Sequence, residues 1–421
     1  MNETSYRMRL RADLDRWVGE GRVAREAAEA IRAALGPDPA RAGAAHYAAI
    51  AGVLLFAAAV LVFVAANWQG IPRPGRLGLL TGLIATAFAA GAWLDARGRR
   101  LFADLAATLA TIGFGATVAL VGQMYHLPKD MAGGFALWSL GALAAAALTG
   151  SRGAFAVTVA AGLVWTSVAA AGQIGAHLAF LPFLAALAAL AWLWESAAAR
   201  HLTALAFFGW WGVVAFQFLS HGRDAALLAP VLAGATVGLG LSLAAMAFGA
   251  ERLRAFAATF ADYGTFALAF ALALAVVGSF VQRYGQWPGW LAATFGAGLA
   301  ALALAGLRAR PWQPPVAYAA AALLIFAVQQ SGPGQSGQGA VMLRGALAVA
   351  AAMLILLAGS TSDRRPRLVA GWLAFAAAVA WLVWSLGGGL LDRALLLALA
   401  SFATMAVAWL LRRFSIAGGA P

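Results

Sequence analysis

From about residue 46 onward the chain is a succession of long apolar runs separated by short polar or basic segments. The runs fall at about 46–66, 77–94, 101–122, 134–149, 154–172, 177–194, 202–219, 225–248, 257–281, 289–307, 315–330, 340–358, 368–387 and 390–411. Each is long enough, or nearly so, to cross about 30 Å of hydrocarbon as a helix. The fourth and eleventh are the shortest, and very little separates the fifth from the sixth. The pattern predicts an all-α fold, a polytopic transmembrane helical bundle of about 14 spans.

The first 45 residues read differently. Leu10, Leu14, Trp17 and Val18 share one helical face, Gly19 and Gly21 interrupt it, and Val23, Ala27, Ile31 and Ala34 continue with helical spacing. Gly36, Pro37, Asp38 and Pro39 then stop the second helix. This predicts a cytoplasmic helical hairpin arm over 1–45, ahead of four spans in 46–150 and about ten more in 151–421. Eight arginines in the arm are nearly offset by seven acids. That balance favours a solvated cap or a docking module for a cytoplasmic protein over a basic membrane-binding helix.

Composition supports lipid as the main solvent. The 421 residues are 63% hydrophobic and 11% charged, whereas soluble domains average roughly 45–50% and about 25%. A net charge of +13 would suggest nucleic acid in a soluble protein. Here the basic residues sit in short loops, where they fix orientation. With the N-terminus inside, 22 of the 29 basic residues fall on the cytoplasmic side and 7 outside, which predicts both termini in the cytoplasm. The clusters Arg97/Arg99/Arg100, Arg252/Arg254, Arg308/Arg310 and Arg364/Arg365/Arg367 all land inside. The absence of cysteine removes disulfides and thiolate metal sites from consideration. No leading apolar core precedes the charged arm, so no secretory leader is expected.

Two stretches read alike. Phe102-Ala103-Asp104 opens the third span, which ends in Gln123-Met124-Tyr125, with Pro128 following. Phe260-Ala261-Asp262 lies early in the ninth, which ends in Gln282-Arg283-Tyr284, with Pro288 following. Both run from inside to outside, so a true duplication would be a parallel internal repeat six spans apart, as in many transporters. Glycine pairs Gly113/Gly115, Gly234/Gly238 and Gly296/Gly298 would let helix backbones approach closely.

Asp104 and Asp262 are acids within predicted spans. An intramembrane carboxylate marks function by default, yet both lie near the cytoplasmic end, and Arg100 can pair with Asp104 one turn away. They are read either as interfacial carboxylates or as members of a proton or cation relay. The most concentrated polar stretch is the outer loop after span three, with Gln123, Tyr125, His126, Lys129 and Asp130. With Asn67, which ends span one, these form a candidate polar site opening outward. The alternatives are a loop shaped by Pro128 and the glycines, and a helix cap at Asn67 with Trp68 as an interfacial anchor. The scattered histidines lack a helix-borne zinc pattern. Gly332 to Gly337 is glycine-rich but lacks the Lys-Ser/Thr of a phosphate loop. Neither a cofactor nor a catalytic residue is expected.

The arm around Trp17 to Gly21, the Ala66-Asn67-Trp68 ending, and Gly122-Gln123-Met124-Tyr125-His126-Leu127 followed by Gly134-Phe135 and Leu137-Trp138 resemble a known family. They are similar to the bacterial predicted membrane proteins of domain of unknown function family 2157, over about residues 8–150. The resemblance implies a multi-pass bacterial membrane protein and brings no activity or site residues. The expectation is a non-enzymatic protein of the cytoplasmic membrane, serving small-solute transport or permeation. The alternative is a membrane sensor or scaffold whose arm docks a cytoplasmic partner; no nucleic acid is expected.

Because the chain has no cysteine, single-cysteine reporters read its topology without background. In intact cells, an impermeant thiol reagent should label His126→Cys and leave Arg99→Cys unlabelled until the membrane is opened. The reverse pattern would refute the orientation.

Overall fold

The computed structural model describes residues 10, 13–34, 52, 55, 62, 70–126, 130–171, 176–220, 227–249, 251–277, 287–309, 312–331, 338–362 and 364–385. The chain divides into two compact units, 1–78 and 79–421. Most of predicted span 46–66 and all of 390–411, with Asn67, Lys129, Gln282, Tyr284 and the Gly332–Gly337 stretch, lie outside the described residues.

In the first unit, α1 (13–19) and α2 (Arg25–Ala34) form the expected hairpin. Gly21 turns it at φ +71°, in the left-handed region that glycine enters without a steric cost. The Arg22 amide donates to the Trp17 carbonyl at 2.8 Å, closing α1. Arg32 on α2 pairs with Asp15 on α1, and Leu14 and Ala28 are fully buried. The inward face of α2 is therefore one residue on from the expected Ala27, which is exposed. Two adjacent alanines give periodicity nothing to choose between.

From Arg73 the chain is helix after helix: α3 (Arg73–Ala96), α4 (Arg100–Met124), α5 (Met131–Thr149), α6 (Arg152–Ala169), α7 (Phe180–Leu193), α8 (Ala197–Ser220) and α9 (Leu228–Phe248). There follow α10 (Glu251–Val277), α11 (Gly289–Arg308), α12 (Gln313–Gln330), α13 (Gln338–Ser360) and α14 (Arg365–Ser385). No strand occurs among the described residues. In hydrocarbon every backbone polar group must be satisfied within the protein, and a helix does this within one segment.

Among the described residues nine helices are long and apolar enough to cross a membrane: α3 to α6, α9 to α11, α13 and α14. The remaining predicted spans with described residues also form helices. At 14 residues α7 reaches only about 21 Å, short of a crossing by itself.

The packing of the second unit centres on α9, which lies against both α10 and α11, while α14 lies against α13 and α10. Small residues make this possible. A Cβ on Gly298 of α11 would stand 2.6 Å from the Val237 backbone nitrogen of α9, and one on Gly240 would stand 2.5 Å from the Gly298 carbonyl oxygen. Gly371 of α14 meets the backbone of Leu356 on α13 in the same way, at 2.7 Å. Elsewhere glycine makes room for a ring. Trp138 lies over Gly115, and Trp211 lies over Gly234 while donating to the Pro230 carbonyl at 2.5 Å. Gly296 meets nothing within 4 Å.

The two stretches compared in the sequence have different neighbours among the described residues. On α4, Asp104 belongs to a helix that lies against α5 and α6. On α10, Asp262 belongs to a helix that lies chiefly against α9 and α14.

Gly298→Ala should lower stability by about 1–3 kcal/mol, because α9 and α11 must separate to admit the methyl group. Gly296→Ala, in open space, should be neutral or stabilising by up to about 1 kcal/mol through helix propensity. Unfolding of the detergent-solubilised protein measures both, and equal effects would refute the backbone contact.

Candidate functional site

The two span acids have separate environments. Asp262 sits three turns into α10, with its side chain only 5% exposed. A buried carboxylate is costly unless paired and hydrogen-bonded. Two arginines supply the pairing. Arg367, in the first turn of α14 and equally buried, donates from Nε to Oδ1 at 2.7 Å and from Nη2 to the Ala258 carbonyl at 2.9 Å. Arg364, just before α14 and 40% exposed, donates from Nε to Oδ2 at 2.9 Å and from Nη2 to the same oxygen at 2.8 Å. Beyond this clamp, Thr265 one turn on along α10 is hydrogen-bonded to the buried Tyr318 hydroxyl at 3.1 Å. With both carboxylate oxygens engaged by guanidinium groups, Asp262 is built as a tie between α10 and α14.

Asp104 is held by a helix terminus. Ser151 is the N-cap of α6: its hydroxyl accepts from the Ala154 amide at 3.0 Å and donates to Asp104 Oδ1 at 2.6 Å. The Gly153 amide reaches the same oxygen at 3.3 Å. The exposed amides and positive dipole end of α6 thus stabilise the carboxylate. The expected pairing of Arg100 with Asp104 does not form; among the described residues Arg100 has no ionic partner.

Asp104 lines a cleft of about 760 Å³ where the C-terminal ends of α3 and α5 meet the N-terminal ends of α4 and α6. Its charged lining is Asp95, Arg100, Asp104 and Arg152, with Thr149 and Ser151 beside them. Among the described residues Asp95, Arg100 and Arg152 have no ionic partner, and Asp104 Oδ2 has no hydrogen-bond donor. Among the described residues, two guanidinium groups without ionic partners and two carboxylates therefore line one volume. On α3, the Arg97 guanidinium stacks 3.8 Å above the Trp93 ring. An arginine over a tryptophan is typical of the headgroup layer.

The outer polar residues are placed differently. Gln123, Tyr125 and His126 end α4 and are exposed, with His126 in the left-handed region at φ 53°. Asp130 is the N-cap of α5, accepting from the Gly133 amide at 2.8 Å. None of the four lines the cleft.

Sequence reading passed over Asp95, Arg152 and Ser151. Ser151 had a legible signal, a capping residue just before an apolar run. The arginine partners of Asp262 had none, since they lie 102 and 105 residues away.

The family model described as "Predicted membrane protein (DUF2157)" matches residues 15–155, in agreement with the resemblance read from the sequence. Every residue lining the cleft falls within that stretch, and Asp262 and its arginines fall outside it. Neither the curated proteins nor the solved structures contain a match.

Removing the Asp262 carboxylate leaves two arginines against each other in a low dielectric. Asp262→Ala should therefore cost about 3–5 kcal/mol. Arg364→Ala, which leaves the buried Arg367 contact intact, should cost no more than about 1 kcal/mol. Denaturant unfolding in detergent distinguishes the two, and a mild effect at Asp262 would show that the clamp is not structural.

Proposed function

We propose that this chain is a non-enzymatic, multi-pass protein of the bacterial cytoplasmic membrane, with both termini inside, that binds and passes a small solute. The observation that carries this reading is the cleft among α3 to α6. Its volume lies within the range of roughly 300–1,000 Å³ usual for small-molecule sites. Its charges are of both signs and largely unengaged by the protein, which suits a solute carrying both an anionic and a cationic group. The basic-residue pattern supports a cytoplasmic face for the cleft, and the Trp93–Arg97 pair lies on the same end of α3. Asp262 and its arginines are on this reading a structural tie rather than a relay.

The alternative, a sensor or scaffold, draws support from the hairpin of α1 and α2, which has its own ion pairs and buried Leu14 and Ala28.

Uptake of labelled glycine and phosphoethanolamine into proteoliposomes tests the first reading. Flux should fall about tenfold in Arg100→Gln and Asp95→Asn, in line with the loss of one charge-assisted contact. Deleting residues 1–40 should leave flux unchanged. No flux with the full chain, together with loss of a cytoplasmic partner on deletion, would transfer the function to the hairpin.

A further inference from the structure

The polar cleft does not end at its charged rim. A second cavity of about 300 Å³ adjoins it and shares Phe88, Leu148 and Thr149 as lining residues. The rest of its wall is Ile84, Phe114, Thr111 and the small residues Gly141, Ala144 and Ala145. Thr111 does not make it polar, because its hydroxyl is spent on the Ala107 carbonyl at 2.7 Å. On α4, Phe114 lies ten residues beyond Asp104, and on α3, Ile84 lies eleven before Asp95. At 1.5 Å per residue the apolar groove therefore runs about 15 Å inward from the charged rim. That is about half of a hydrocarbon core of roughly 30 Å, the depth of one leaflet.

The geometry points to a zwitterionic phospholipid, phosphatidylethanolamine, as the occupant. Its headgroup lies in the cleft and one acyl chain in the groove. The phosphate takes Arg100 and Arg152, whose guanidinium groups have no ionic partner among the described residues. The ammonium takes Asp95 and the free Oδ2 of Asp104. Ser151 and Gly153, bonded to Oδ1, hold that carboxylate in place without occupying its second oxygen. An anionic headgroup lacking an ammonium would leave both carboxylates unmatched, and a free zwitterion would leave the groove empty. Trp93, under Arg97 on the same end of α3, is a residue type favoured at the depth where such a headgroup lies. This inference rests on the reading of the cleft as a ligand site and deepens it by naming the ligand class.

Native mass spectrometry of the full chain, titrated with palmitoyl-oleoyl phosphatidylethanolamine or the matching phosphatidylglycerol, tests it. Phosphatidylethanolamine should bind at least about tenfold more tightly than phosphatidylglycerol. Arg152→Gln with Asp95→Asn should abolish that preference. Ala144→Trp, which fills the groove, should weaken lipid binding while leaving free phosphoethanolamine unaffected. Equal retention of the two lipids by the wild-type chain would mean ordinary surrounding lipid and would overturn the inference without recourse to any variant. Free phosphoethanolamine binding as tightly as the lipid would also overturn it, while leaving the cleft as a solute site. Binding of neither would overturn both readings.

Discussion

Helices surrounded by hydrocarbon gain nothing from pressing leucine against leucine, because lipid tails are as apolar as the side chains they replace. Association has to come from close backbone approach and from the few polar groups present. This constraint explains why alanine and glycine, rather than large side chains, fill so much of the interface. Where α9 meets α11, the Gly240 and Gly298 contacts leave no space for a methyl group. Where α13 meets α14, Gly359 and Gly371 do the same against Arg367 and Leu356. The Asp262 clamp then adds a directional contact that sliding helices would lose. Its partner Arg367 is the residue whose backbone lies on Gly359, so ionic and steric contacts set the same register.

The long helices were legible in the sequence because each is a run of apolar residues of sufficient length, the one simple requirement lipid imposes. That requirement is local, and helices formed at every predicted span with described residues. The hairpin was equally legible, from the period of Leu10, Leu14, Trp17 and Val18 and the glycines after them. Tertiary partners were not legible. The Asp262 clamp joins residues more than a hundred positions apart, and no spacing rule connects α10 with α14. The cleft is hidden for a related reason. Asp95, Arg100 and Arg152 look like ordinary loop charges until four helix ends bring them around one volume. The glycine pairs were half legible: Gly115, Gly234, Gly238 and Gly298 do make close contacts, whereas Gly296 faces open space.

The likeness between Phe102-Ala103-Asp104 and Phe260-Ala261-Asp262 shows how far a short motif can mislead about environment. The first aspartate is held by a hydroxyl and an amide at the N-terminus of a following helix and, among the described residues, keeps one oxygen free. The second is closed by two guanidinium groups. A carboxylate satisfied by amides and a hydroxyl retains its charge and an open coordination site, and can meet a ligand. One satisfied by two arginines has no vacancy, and its release would leave positive charge buried without a partner.

These two arrangements divide the labour of the chain. The closed pair lies where the helices are most tightly packed and outside the family-matched stretch. The open group lies within that stretch, at the ends of α3 to α6, where a polar cleft and an apolar cavity share lining residues. A protein with so few charges gathers four of them around one volume, where a ligand can complete them. In a soluble protein, water alone would do so at little cost. On the proposed placement at the edge of a bilayer, the same rim would open on one side to water and on the other to acyl chains. The physical match is therefore a molecule with both characters, held by its charges and steered by its chain.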